Sequence, residues 1–286
     1  MDIRTVGVVG AGLMGSGIAE IAARSGYDVV VREVDEAALQ RGLKHIESSM
    51  ARGVERGKMT EKERAEAGAK ISGTTDLNDL RDCDLVIEAI IENLEQKRTL
   101  FRELDRITRP EAILTSNTSS ISITVLAAAT SKPDKVAGTH FFIPVPHMTL
   151  VELVRALQTS DETLDTTRRF CESLHKQVVI VKDTPAFIFN RLLIPYLLDA
   201  VRLLDNGVAA KEDIDRVMML GTGVAIGPIS LVDYIGLDTV LYISEVMYEE
   251  FKNPWYAAPP LLRKMVNAGY LGKKSGRGFY DYESNT

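Results

Sequence analysis

Val6-Gly-Val-Val-Gly10-Ala-Gly12-Leu-Met-Gly15-Ser-Gly-Ile-Ala19 sets an apolar strand, a glycine turn and a small-residue helix in immediate succession. Val6, Val8 and Val9 make the strand, and Ile18, Ile21 and Ala22 share one face of the helix. The glycines fall in the spacing Gly-x-Gly-x-x-Gly at the seam between the two. Gly10 lets the backbone turn tightly, and Gly12 leaves space for a pyrophosphate to approach the main chain. Gly15 lets the helix lie against the strand, so that its positive N-terminus, at Leu13 and Met14, faces the phosphates. Glycine turns are common, but this one has its context. A second valine strand, Asp28 to Val31, runs into Glu33. That is about twenty residues after the glycines, where an acid hydrogen-bonds the adenosine ribose. Gly10, Gly12, Leu13, Met14, Gly15 and Glu33 are therefore the expected dinucleotide-binding residues.

Outward from this stretch, helical and strand patterns alternate. Leu39, Leu43, Ile46 and Met50 predict an amphipathic helix over 36–56, stopped by Gly57, with a charged helix following over 61–69. Mixed charge around Arg52, Arg56, Lys58 and Lys62 reads as a solvated face. Strands are expected near Ile71, from Asp84 to Ile91, over 112–116, over 136–142, over 150–154 and over 178–181. The helix after Asn93 should turn Leu94, Leu100, Phe101, Leu104 and Ile107 inward. A short helix near Val125–Ala129 and a longer one marked by Leu164, Phe170 and Leu174 complete the series. This order predicts an α/β, Rossmann-type, mostly parallel sheet over residues 1–184, with helices on both faces. Ligands bind such a sheet at the carboxyl ends of its strands. The glycine turn, Glu33, Ile91-Glu92-Asn93, Ser116–Ser120 and His140 all end predicted strands and should converge on one crevice.

From Pro185 no strong strand follows, and an all-helical domain over 185–286 is expected. Helices are predicted over 187–205, bent at Pro195, and over 211–220, 229–251 and 261–268. The first is apolar nearly all round (Ile188, Leu192, Leu193, Leu197, Leu198, Val201, Leu203, Leu204) and calls for burial on most sides. A homodimer through this domain is the natural inference. The closing Leu271–Tyr280 stretch reads as a glycine-rich turn with aromatic anchors.

The chain of 286 residues is 45 % apolar and 26 % charged, which fits a globular protein. Its net charge of −6 argues against a nucleic-acid footprint. No apolar run reaches the length of a membrane span, and no leader is expected before the first strand. Cys83 and Cys171 lie in apolar patterns with no metal or redox spacing and read as reduced core residues of a cytoplasmic protein. No metal is expected.

Hydride exchange at carbon needs a residue that exchanges the accompanying proton. His45 and His175 fall in or beside charged helices, and His147 follows two prolines. His140 ends a strand in the predicted crevice, with Glu152 on the next strand. A histidine backed by a carboxylate is the usual proton acceptor for an alcohol. A strand-end histidine by itself reads equally as a core residue.

Ser116-Asn-Thr-Ser119-Ser, Thr139-His140-Phe-Phe-x-Pro-Val-Pro and Leu150-Val-Glu152 resemble the L-3-hydroxyacyl-CoA dehydrogenases, including the bacterial 3-hydroxybutyryl-CoA dehydrogenases. The resemblance continues through Thr184–Leu193, Asp233–Asp238 and the Lys274–Tyr280 tail. It implies an NAD-dependent oxidoreductase interconverting 3-hydroxyacyl and 3-ketoacyl thioesters. It implies His140 as catalytic base, Glu152 as its carboxylate, Ser119 as the residue hydrogen-bonding the substrate oxygen, and Asn190 as completing the site as two domains close. Glu33 matches the acidic ribose ligand, favouring NAD over NADP. Glu92 and Lys97 match residues near the nicotinamide half and the domain interface, Ser119 is also implied as a cofactor contact, and Ser49, Arg56 and Lys58 fall where the family's helical hairpin meets CoA.

This chain departs from the family at Ile143, where asparagine is usual, at Thr149 (lysine), at Ala186 (glycine) and over Val224–Ile226 (His-Pro-Met). Apolar residues thus replace polar contacts around the acyl site. The competing expectations are a hydroxyacyl group on a carrier protein, a free hydroxy acid, and a catalytically idle NADH-binding protein.

Overall fold

The computed structural model describes residues 2–282, and the chain divides into two compact units, one up to Thr184 and one from Pro185. The first unit runs β1 (Thr5–Val9), α1 (Leu13–Arg24), β2 (Asp28–Arg32), α2 (Glu36–Glu55), α3 (Glu61–Gly68), β3 (Ile71–Thr74), β4 (Leu85–Glu88), α4 (Leu94–Ile107), β5 (Ile113–Ser116), α5 (Ile123–Ala127), β6 (Val136–Phe141), β7 (Leu150–Arg155), α6 (Asp161–Ser173) and β8 (Gln177–Lys182). The eight strands form one sheet in the order β3-β2-β1-β4-β5-β6-β7-β8. Every pair is parallel except β6 and β7, which run antiparallel. The order reverses between β1 and β4, and that reversal opens the crevice in which such sheets hold ligands.

Valines of β1 and β2 bury one face of the sheet against α1, α2, α3 and α6, with Ile18, Leu39, Ile46, Met50 and Phe170 in the same core. Gly138 faces the other side, where Ile123 of α5 comes within 2.8 Å of its missing Cβ. Leu100, Phe101 and Leu104 are the buried stripe of α4, and Ile107 is half-buried. Leu94 does not turn inward: it is the first residue after the Asn93 cap and remains 39 % exposed. Cys83 and Cys171 are free buried thiols, each pushed up to about 12 by burial.

The second unit comprises α7 (Phe189–Asp205), α8 (Lys211–Thr222), α9 (Pro228–Ile235), α10 (Leu237–Phe251) and α11 (Pro260–Asn267). The single helix expected over 229–251 is two. Gly236 breaks it with φ +103, a region closed to most side chains, and its amide caps α9 by donating to Val232 O. The break lets Asp233, fully buried, accept from the amides of Phe279 and Tyr280 and from the Tyr282 hydroxyl, pinning the tail. Ile194, Leu197, Leu198 and Val201 of α7 are buried in the unit's core, whereas Leu192 is 71 % exposed and Leu203 44 %. The apolar girth of α7 therefore exceeds what its own unit covers.

Candidate active site

Each glycine of the opening turn has its own physical necessity. Gly10 has φ +95, and a Cβ there would lie 2.6 Å from Ala89 O. At Gly15 a Cβ would fall 1.7 Å from Gly10 O, so only glycine lets α1 start this close to the turn. Gly12 is the opposite case, with nothing within 4 Å of the Cβ position. The helix it opens is also distinctive. Asp35, Thr60, Asn93, Ser122 and Ser160 each cap a helix of this unit through a side-chain oxygen. Among the described α-helices of the unit, α1 alone has no side-chain cap, and its first turn holds no acid. Its N-terminal amides and dipole face open space, which suits a diphosphate. Glu33 stands at the lip of the turn, accepting from Ala11 N (2.6 Å) and Val34 N (3.0 Å).

Large apolar side chains stand exposed just beyond the carboxyl ends of β1, β2, β4 and β6: Leu13 (58 %), Val34 (68 %), Ile91 (67 %) and Ile143 (50 %). An apolar rim around a polar cleft is the ordinary surface of a ligand site.

Across the crevice, β6 and β7 pair in a register that sets His140 opposite Glu152. His140 Nδ1 lies 2.8 Å from Glu152 Oε2, with both residues buried. His45, His147 and His175 are all exposed, so burial separates the strand-end histidine from the rest. Phe142 packs beside the imidazole, ring centroids 4.6 Å apart. The β6–β7 loop is held from below by Lys176, whose Nζ donates to Val145 O (2.7 Å) and Met148 O (2.6 Å). Burial and the neighbouring Arg24 push this ammonium below its ordinary value. Val145 in turn fills the space beside Gly17 of α1, where a Cβ would come within 2.8 Å.

The serine-rich exit of β5 is tied to β4 by a ring of hydrogen bonds. Lys97 Nζ, 1 % exposed in its side chain, meets Glu88 Oε1 at 2.6 Å and Glu92 Oε2 at 3.2 Å. Glu88, with no exposure, also accepts from Ile90 N (2.7 Å) and Ser116 Oγ (2.5 Å). Thr118 N donates to Ser116 Oγ at 3.2 Å, and the Thr118 hydroxyl donates to Glu92 Oε1, closing the ring. Glu92 Oε1 further accepts from Ser120 Oγ (3.0 Å) and from the backbone amide of Ser119 (3.3 Å). Burial holds Glu88 above the usual carboxylate range against the pull of Lys97. Burial would also raise Glu92, but Lys97 and the Thr118 and Ser120 hydroxyls outweigh it and hold that carboxyl below its ordinary value. Asn117 joins the neighbouring strand, its Oδ1 accepting from Phe141 N at 2.9 Å.

The profile of the 3-hydroxyacyl-CoA dehydrogenase NAD-binding domain matches residues 5–184, and that of the family's C-terminal domain matches residues 187–282. The chain belongs to the 3-hydroxyacyl-CoA dehydrogenase family. It is an NAD-dependent oxidoreductase, and its first unit is the family's NAD-binding domain. It is 52 % identical over 282 residues to the 3-hydroxybutyryl-CoA dehydrogenase of Mycobacterium tuberculosis, covering 98 % of this chain and 99 % of the relative. The mitochondrial hydroxyacyl-coenzyme A dehydrogenase of Sus scrofa is 45 % identical, with 98 % and 92 % covered. The crystal structure of (S)-3-hydroxybutyryl-CoA dehydrogenase from Ralstonia eutropha superposes with a TM-score of 0.96 at 47 % identity, covering 99 % of this chain and all of that one (100 %).

Within this member, Gly10, Gly12, Leu13, Met14 and Gly15 follow β1, Glu33 follows β2, Glu92 and Lys97 follow β4, Ser119 follows β5, and His140 near the end of β6 faces Glu152 on β7. Asn190 stands in the first turn of α7 in the second unit. Ser49 and Arg56 lie on α2 and at its C-cap, and Lys58 in the turn before α3. The last of these lines a cavity of about 310 Å³ with Arg24, His147, His175 and Lys176. Glu88 and Lys176 escaped the sequence reading, whereas Ser116 and Asn117 belong to the Ser116–Ser120 cluster expected in the crevice. A lone acid ending the apolar run Leu85-Val-Ile was the one available signal, at Glu88.

Proposed function

We propose that this enzyme interconverts a short 3-hydroxyacyl-CoA, of the 3-hydroxybutyryl-CoA class, and its 3-ketoacyl thioester, with His140 as proton acceptor and Glu152 as its charge partner. The observation that carries the reading is the buried His140–Glu152 contact at the strand ends, beside the Ser119 loop. The substrate class is that of the relatives, a 3-hydroxybutyryl-CoA dehydrogenase and a hydroxyacyl-coenzyme A dehydrogenase. The open Gly12 surface, the uncapped start of α1 and the Glu33 carboxylate fit a dinucleotide, and Glu33 disfavours a 2′-phosphate there. NAD, when bound, accepts or returns the hydride.

The remaining work falls to the chain. Ser119 Oγ and His140 Nε2 hold the 3-hydroxyl, and Nε2 takes its proton as the carbonyl forms. Nδ1–H faces Glu152 Oε2, which fixes the tautomer and stabilises the imidazolium. In the reverse direction the same nitrogen returns the proton to the developing alkoxide. Asn190 is a further substrate-contacting residue, and the helical unit serves for substrate binding and dimerisation. The Ser49–Arg56–Lys58 hairpin receives CoA. The exposed Leu192 and Leu203 of α7 support a homodimer, and the free buried thiols support a cytoplasmic protein.

A second reading rests on Ile143, half exposed where the family carries an amide. It allows an acyl group on a carrier's pantetheine arm, or a free hydroxy acid, as substrate. The test is NAD reduction by (S)-3-hydroxybutyryl-CoA, by the same acyl group on a carrier protein and by free 3-hydroxybutyrate. The proposal expects the CoA thioester to be turned over fastest. Preference for the free acid or the carrier would replace it with the second reading, and NADH binding without any turnover would leave an idle dinucleotide-binding protein.

A further inference from the structure

The strand order fixes how a dinucleotide must lie. Its diphosphate end belongs at the β1 turn, and Glu33 at the end of β2 claims the adenosine side. The other half must then cross to the opposite neighbour of β1, which is β4, on the way to His140 on β6. At the end of β4 stands the ring of Glu88, Lys97 and Glu92. Two carboxylates share one ammonium, and Lys97 and Glu88 are excluded from water. Both carboxylate oxygens of Glu88 accept hydrogen bonds, the pattern of an ionised carboxylate. A buried ion cluster is weak support for a fold, since apolar residues of similar volume commonly serve as well. Its excess negative charge calls for another account.

The oxidised nicotinamide ring carries a positive charge and the reduced ring none. We propose that the Glu88–Lys97–Glu92 ring, with one net negative charge, biases this site toward the oxidised dinucleotide and that Glu88 supplies the charge that does so. Glu88 is a positioning and electrostatic residue; it acts through Lys97 and Glu92. The proposal rests on the reading of the crevice as the NAD site. Lys97 can balance only one of the two carboxylates, so neutralising Glu88 brings the ring to zero. Removing Lys97 as well restores one negative charge, on Glu92.

The test is the ratio of dissociation constants, Kd(NADH)/Kd(NAD), measured by calorimetry at one fixed pH for every variant. Glu88→Gln is expected to lower the ratio about ten-fold, the effect of one unit charge in a poorly screened site. The double variant Glu88→Gln/Lys97→Gln is expected to return the ratio to the wild-type value. Ser116→Ala, which breaks the ring but keeps its charge, is expected to leave the ratio unchanged. A ratio that moves less than about two-fold in Glu88→Gln, or that stays low in the double variant, overturns the proposal. If Glu88→Gln does not fold, Glu92→Gln removes the same charge from the less buried partner and must lower the ratio likewise. Failure of the wild-type protein to bind either nucleotide would instead refute the assignment of the crevice.

Discussion

Glu152→Gln keeps the size of the side chain and removes its charge. In the wild-type protein its Oε2 lies 2.8 Å from His140 Nδ1, with Glu152 only 2 % exposed and His140 7 %. Opposite unit charges with centres about 4 Å apart attract by about 4 kcal/mol at an effective dielectric of about 20. The amide oxygen of glutamine still accepts from Nδ1–H, which recovers roughly half of that. About 2 kcal/mol of stabilisation of the imidazolium is then lost, equivalent to a roughly 30-fold fall in kcat/KM. The assay is steady-state oxidation of (S)-3-hydroxybutyryl-CoA, with the Kd for NADH measured on the same preparation. The nucleotide affinity should hold, because Glu152 lies on β7 and the nucleotide residues follow β1, β2, β4 and β5. A loss of kcat/KM smaller than about three-fold with intact NADH binding would refute the role given to this carboxylate.

Gly12→Ala should fold normally, since nothing lies within 4 Å of the new methyl group, yet lose about ten-fold or more in NADH affinity by filling the phosphate approach. Unchanged affinity by fluorescence titration would contradict the phosphate site. Lys176→Met keeps the aliphatic stem but strands two carbonyls, so urea unfolding should show a loss of about 2–4 kcal/mol and kcat/KM should fall with it. Asp84 accepts from Arg4 N, Thr5 N and Arg109; burial would raise its carboxyl, but these donors hold it below the ordinary value. A depressed folded value means stability that is present above the unfolded pKa, about 3.9, and lost as pH falls through the folded one. Asp84→Asn should therefore be less stable than wild type by about 1.5–3 kcal/mol at pH 7, and the two melting curves should converge in strong acid.

The glycine turn was legible because each of its demands is local: a positive φ at Gly10, contact at Gly15 and open space at Gly12. The alternation of strands and helices placed His140 at a strand end, and burial then set it apart from the other histidines. The ring around Lys97 depends on the register that sets Glu88 beside Ser116, a pairing across 28 residues that no local pattern encodes. The Lys176 strap is hidden for the same reason, because its partners are backbone carbonyls and leave no mark on side-chain type. Over 229–251 the apolar spacing runs straight through Gly236. Only the tail folding onto Asp233 explains why the helix stops there. The outward Leu94 shows the limit of periodicity at a helix's first residue, where the cap sets the direction of the chain.

In the proposed mechanism His140 moves the proton that accompanies hydride transfer in a 3-hydroxyacyl thioester. NADH oxidation by acetoacetyl-CoA, wild type beside His140→Ala, tests it most directly. Rapid oxidation by the wild-type enzyme is expected, with a loss of about 10²- to 10⁴-fold in kcat in the variant and NADH still bound. Turnover by the variant within a few-fold of wild type would contradict it.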